Sequence, residues 1–109
     1  MKEIDPAVRE KLIDYESRAY DAWQEGMSLL EMKDYSEAYD SFVDGMYICL
    51  KAMQTLPFPK QGEDNPLLPV MDKLYAGCRK AALEDEGGTL EEIFYEDGVH
   101  DVYRQIRKK

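Results

Sequence analysis

Apolar residues recur along most of this chain at spacings of three and four, the interval that places them on one side of an α-helix. Val8, Leu12, Tyr15, Ala19, Ala22, Gly26 and Leu30 make the first such stripe, and it is narrow. Asp5 precedes it with an acceptor for the free N–H groups of a first turn, and Pro6 suits the first helical position. A long first helix is predicted over residues 5–32. Asp34 with Glu37 three residues on reads as a capping box that opens a second helix over 35–56. The apolar positions of this second helix form two adjoining stripes. Ala38, Phe42, Gly45, Cys49, Met53 and Leu56 make one; Tyr39, Val43, Met46 and Leu50 make the other. An arc that wide must touch neighbours on two sides, so the second helix belongs in the middle of a bundle.

Residues 57–65 hold two prolines and a glycine, which exclude helix and predict a loop. Asn65 followed by Pro66 is a cap pair for a third helix over 66–86, with Leu67, Met71, Leu74, Cys78 and Ala81 on its core face. Tyr75 flanks that face, and Gly87–Gly88 ends the helix. Beyond it, Leu90, Ile93 and Phe94 share one face, while Val99, Val102, Tyr103 and Ile106 share another, turned by about half a revolution at 100° per residue. One straight helix cannot bury both. Two short helices are expected, 90–97 and 99–107, broken at Asp97–Gly98. Strand signals are scarce. The prediction is a single all-α domain, three long helices plus one or two short C-terminal ones in an antiparallel bundle.

Length sets the scale, since 109 residues suffice for one hydrophobic core and not for two. Charge narrows the function. Acids outnumber bases 23 to 14, for a net charge of −9, and residues 1–56 alone hold twelve acids and six bases. A field of that sign opposes direct binding to nucleic acid or to anionic membrane. The longest apolar run, Met46 to Leu50, is too short to span a bilayer, and the N-terminus lacks the apolar stretch of a secretory signal. A cytoplasmic protein is expected. The two cysteines, Cys49 and Cys78, fall on apolar faces, where a reduced thiol behaves as a small hydrophobe.

The first hairpin resembles a known pattern. Gly26 is followed twelve residues later by Ala38, then Phe42 and Gly45, with Asp34-Tyr35-Ser36-Glu37 at the turn. This is similar to one tetratricopeptide repeat, covering about residues 22–50. The resemblance implies that Gly26, Ala38 and Gly45 let two helix backbones approach closely and that Phe42 fills the gap beneath. No second copy follows, so the chain is not a solenoid. One repeat-like hairpin with a third helix is also similar in architecture to microtubule-interacting-and-transport domains. That likeness implies binding of partner helices or peptides in grooves between helices.

Catalytic and metal chemistry find little support. His100 is the sole histidine, with Glu96 and Asp97 one helical turn before it. A bundle metal site needs such pairs on two helices, so no metal and no cofactor are expected. No nucleophile elbow or glycine-rich phosphate loop occurs, and no enzymatic activity is expected. The acids are better organised. Glu10, Asp14, Asp21 and Glu25 on helix 1, and Asp40 and Asp44 on helix 2, lie opposite the apolar stripes. They are either the solvated back of the hairpin or a strip that docks a protein partner through its basic residues. Tyr20 and Tyr47 lie off the core stripes and are candidate aromatic anchors, or isolated surface tyrosines. The expected function is a non-catalytic protein–protein interaction module that docks a helix or peptide in an inter-helix groove, with an acidic face steering basic partner residues. The alternative is a small acidic inhibitor or immunity-type protein that covers the basic nucleic-acid site of a nuclease or related enzyme. The stripe widths leave room for a homodimer.

Overall fold

The fold is all-α. The computed structural model describes residues 4–85, 87, 88, 90, 92, 93 and 98–107. Among them are four bounded α-helices: α1 (Pro6–Glu31), α2 (Tyr35–Thr55), α3 (Leu68–Glu84) and α4 (Gly98–Arg107). Leu90, Glu92 and Ile93 are also helical. The expected break at residue 97 lies outside the described residues.

Local chemistry accounts for the helix ends. The Asp5 carboxylate accepts the Ala7 N–H at 2.8 Å, with Pro6 in the first turn of α1. The connection to α2 is only Met32 to Asp34, and Lys33 bends it with a left-handed φ of 61°. Asp34 accepts the Glu37 N–H at a long 3.5 Å. Glu37 itself is exposed and makes no bond back to Asp34 among the described residues, so only half of the capping box forms. Past α2, the Lys60 ammonium donates to the carbonyls of Leu56 and Phe58 at 3.3 and 3.1 Å, placing a cation at the negative end of the helix dipole.

α3 starts at Leu68, between Asn65 and Pro69 and two residues past the Pro66 of the cap pair. Proline explains the delay. Pro69 has no N–H to give the Asn65 carbonyl four residues back, so the Leu68 N–H bonds that carbonyl instead, at 3.1 Å, in a tighter turn. Asn65 is buried beneath this turn. It accepts the Leu67 N–H at 2.9 Å and donates to the Lys60 carbonyl at 3.1 Å, tying the loop to the helix start.

The wide arc of α2 packs on both α1 and α3, which touch each other much less. Phe42 occupies the junction. A Cβ added at Gly26 of α1 would lie 2.7 Å from the Phe42 ring atoms Cδ1 and Cζ, and one added at Gly77 of α3 would lie 2.6 Å from the same ring. The ring is therefore held between two helix backbones. One step along, Gly45 faces Ala22 of α1 and Leu74 of α3. The Ser41 hydroxyl donates to the Ala22 carbonyl at 2.8 Å, which satisfies a polar group inside the seam. These pairings run in opposite directions along the chain, so α2 is antiparallel to both neighbours. Around them Met46, Cys49, Leu67, Val70, Met71 and Leu74 are fully buried. At about 1.5–3 kcal/mol for each large apolar side chain removed from water, this cluster dominates the stabilisation.

Candidate functional site: the groove between α3 and α4

The helical period that buries one side of α3 also creates the opposite side. Asp72, Tyr75, Ala76, Arg79, Lys80, Leu83 and Glu84 follow one another at intervals of three and one, a stripe that winds along α3. α4 lies beside it because its own apolar face, Tyr103 and Ile106, is buried against the bundle. Between the two helices runs an open groove of about 510 Å³, lined by that α3 stripe and by Tyr103 and Arg107 of α4.

Its floor is ordered by three contacts. Tyr75 and Tyr103 stack with ring centroids 4.3 Å apart and 17° between planes. The Tyr103 hydroxyl donates to Asp72 Oδ1 in a short hydrogen bond. Arg107 Nε lies 3.6 Å from the same carboxylate oxygen. Burial, then the hydrogen bond to Asp72 and its negative charge, raise the Tyr103 phenol above its ordinary value, with Arg107 opposing. Tyr103 is thus a fixed donor at neutral pH. Asp72 has its charge matched from within the protein. At the rim, Leu83 is 63% exposed. Arg79 and Lys80 are exposed and make no ion pair among the described residues. The groove is thus apolar and aromatic at its base and predominantly cationic at its edge, in a chain of net charge −9.

None of the six acidic candidates lines this groove. Glu10, Asp14, Asp21 and Glu25 are exposed on α1, as are Asp40 and Asp44 on α2. The pairing of Gly26 with Phe42 and of Ala22 with Gly45 sets the register. It places Asp21, Glu25, Asp40 and Asp44 in the half of the hairpin nearer the turn. Glu10 and Asp14 lie roughly 10–16 Å further along α1, at 1.5 Å per residue. Asp14 is partly offset by Arg18 at 3.0 Å, an exposed pair worth a few tenths of a kcal/mol at about this spacing. Tyr47 is 54% exposed on α2, three residues after Asp44, and is not among the residues that line the groove. Tyr20 differs from the sequence reading. It is half-buried and packs against the core, as a long side chain with an apolar body and a polar tip can do from a position beside a stripe. Gly26, Ala38, Phe42 and Gly45 are all buried.

Sequence reasoning missed the groove residues. One signal was available: Leu83 lies 140° around α3 from Cys78, well off the core stripe, and is spaced three and four residues from Lys80 and Arg79. The Asp72–Tyr103 bond spans 31 residues and has no local signature. Both cysteines are buried and unbridged. Burial pushes the Cys49 thiol up to about 12, helped by the Glu16 charge, so it is unreactive at neutral pH.

Among the described residues, no group of three or more histidine, cysteine or acidic side chains is placed to hold a metal ion. The His100 side chain, Glu96 and Asp97 lie outside the described residues. No helix among them is long and apolar enough to cross a membrane. No protein-family model matches the chain, no curated protein matches it, and no solved structure matches it.

Proposed function

We propose that this chain is a non-catalytic protein–protein interaction module that docks a partner helix or peptide in the groove between α3 and α4. The observation that carries this reading is Leu83, a large apolar side chain left 63% exposed at the rim of a groove floored by the Tyr75–Tyr103 stack. Tyrosine and arginine are enriched among interface anchors, and both stand in this groove beside Leu83, whose exposed side chain adds apolar area to theirs. In this reading the close-packed α1–α2 hairpin is the rigid support. Its acidic back acts at longer range, orienting basic residues elsewhere on the partner and speeding encounter.

The exposure of all six acidic candidates supports a second reading, an acidic inhibitor that covers the basic nucleic-acid site of an enzyme. The two are separated by affinity capture from the native cell with the intact protein, at low and near-physiological salt. Two variants are compared with the parent: Leu83→Glu, and the triple reversal Asp14→Lys, Asp21→Lys, Glu25→Lys. All four positions are exposed, so both variants should fold, and circular dichroism checks this. Groove docking predicts a partner that survives the salt increase and the triple reversal and is lost with Leu83→Glu. A partner lost to salt and to the triple reversal, but kept by Leu83→Glu, identifies the inhibitor. Capture that is indifferent to both variants overturns both readings.

A further inference from the structure

The groove carries a charge opposite to that of the molecule around it. Asp72, its innermost acid, is already engaged by the Tyr103 hydroxyl and by Arg107. Glu84 stands at one end. Arg79 and Lys80 lie between, one turn before Leu83, and neither makes an ion pair among the described residues. Resting on the groove-docking reading above, we infer that the occupant is an amphipathic segment whose apolar side meets Leu83 and the stacked tyrosines and whose flanking carboxylates meet Arg79 and Lys80.

Three physical points lead to it. A basic segment would meet like charge at Arg79 and Lys80 as it approached. A wholly apolar segment would strip water from two cations and give them nothing in return. A carboxylate on the partner replaces that water with a charge-assisted hydrogen bond, bidentate in the case of Arg79. Size is set by the stripe. Asp72 and Glu84 are twelve steps apart along the helix, roughly 18 Å at 1.5 Å per residue, which matches about three turns of a partner helix. The acidic back of α1 and α2 then has a second effect. It repels an acidic segment from the α1–α2 surface and so favours the groove for that segment, while basic residues elsewhere on the partner are still drawn to the acidic back.

The test is selection of a display library on the intact protein at near-physiological salt. The library consists of sixteen-residue amphipathic segments (about four helical turns) with randomised flanking positions. Binders are counter-screened against Leu83→Glu and then measured on the double variant Arg79→Glu, Lys80→Glu. Enrichment of aspartate and glutamate in the flanks, with at least a tenfold loss of affinity on the double variant, supports the inference. Sensitivity to Leu83→Glu with neutral or basic flanks overturns the charge inference and leaves groove docking standing. Absence of any binder sensitive to Leu83→Glu overturns groove docking itself. Sedimentation of the parent and Leu83→Glu covers the remaining occupant: a dimer that the substitution dissolves means that a second copy fills the groove, and the inference falls.

Discussion

Gly26→Ala tests the packing on which the whole bundle depends. The added methyl would lie 2.7 Å from Phe42 Cδ1 and Cζ and closer still to Cε1. Carbon atoms in contact normally sit about 3.5–4.0 Å apart, so the overlap is about 1 Å. The ring has nowhere to go. It is fully buried, and the Gly77 backbone closes its other side, where a Cβ would lie 2.6 Å away. Overpacking of this kind costs about 1–3 kcal/mol. Alanine returns about 1 kcal/mol of helix propensity over glycine. The difference is about 0–2 kcal/mol, and a loss in its upper half, about 1–2 kcal/mol, is expected because neither wall of the ring can yield. For a chain of this length that lowers Tm by roughly 5–15 °C. Urea unfolding followed by circular dichroism measures it directly, with an unchanged m-value showing that the two-state transition is intact. Two controls sharpen the result. At Gly98 a Cβ meets nothing within 4 Å, so Gly98→Ala should be neutral or gain up to about 1 kcal/mol. In the double variant Gly26→Ala with Phe42→Leu, the smaller side chain should relieve the overlap, so the two losses should fall short of additivity by about 1 kcal/mol or more. A Gly26→Ala protein as stable as its parent, or strict additivity with Phe42→Leu, would refute the argument.

Three further outcomes are expected. Cys49 ionises near 9.0 when unfolded and only near about 12 when folded, chiefly through burial, so above pH 9 the native state holds a proton that the unfolded state releases. Stability should fall as pH rises through that window, by up to about 1.4 kcal/mol per pH unit from this group, and Cys49→Ala should flatten the decline in urea titrations at about pH 8 and about pH 10.5. Tyr103→Phe keeps the stack on Tyr75 but removes the hydrogen bond to Asp72. It should cost about 1 kcal/mol, with hydrogen exchange quickening in α4 ahead of α1 and α2, and unchanged exchange in α4 would count against the bond. Asn65→Ala strands a buried Leu67 N–H and removes the donor to the Lys60 carbonyl. A drop of about 2–3 kcal/mol in the unfolding free energy is expected, and a drop below about 0.5 kcal/mol would mean water replaces the side chain.

Much of the fold was legible because helices are local. The stripes on α1, α2 and α3 repeat every three or four residues, and a face that must leave water announces itself at that period. Even the central place of α2 could be read from the width of its arc. Other features escaped for equally physical reasons. The late start of α3 depends on which amide is missing at Pro69, a matter of one hydrogen bond rather than of pattern. Tyr20 lies at the margin of a stripe, where side-chain length rather than angle decides burial.

What the order of residues determined alone was the class of structure, the charge of its surfaces and the small residues of its first hairpin. These follow from periodicity, composition and short-range spacing. Tertiary structure decided the rest. It placed Gly77 of α3 opposite Gly26 of α1, so that Phe42 locks three helices instead of two. It laid α4 against α3, joined Asp72 to Tyr103 across 31 residues, and left Leu83, Arg79 and Lys80 along an open groove. Contacts between distant segments depend on how completed helices dock, and docking answers to the shape of whole faces, which no local interval of residues encodes.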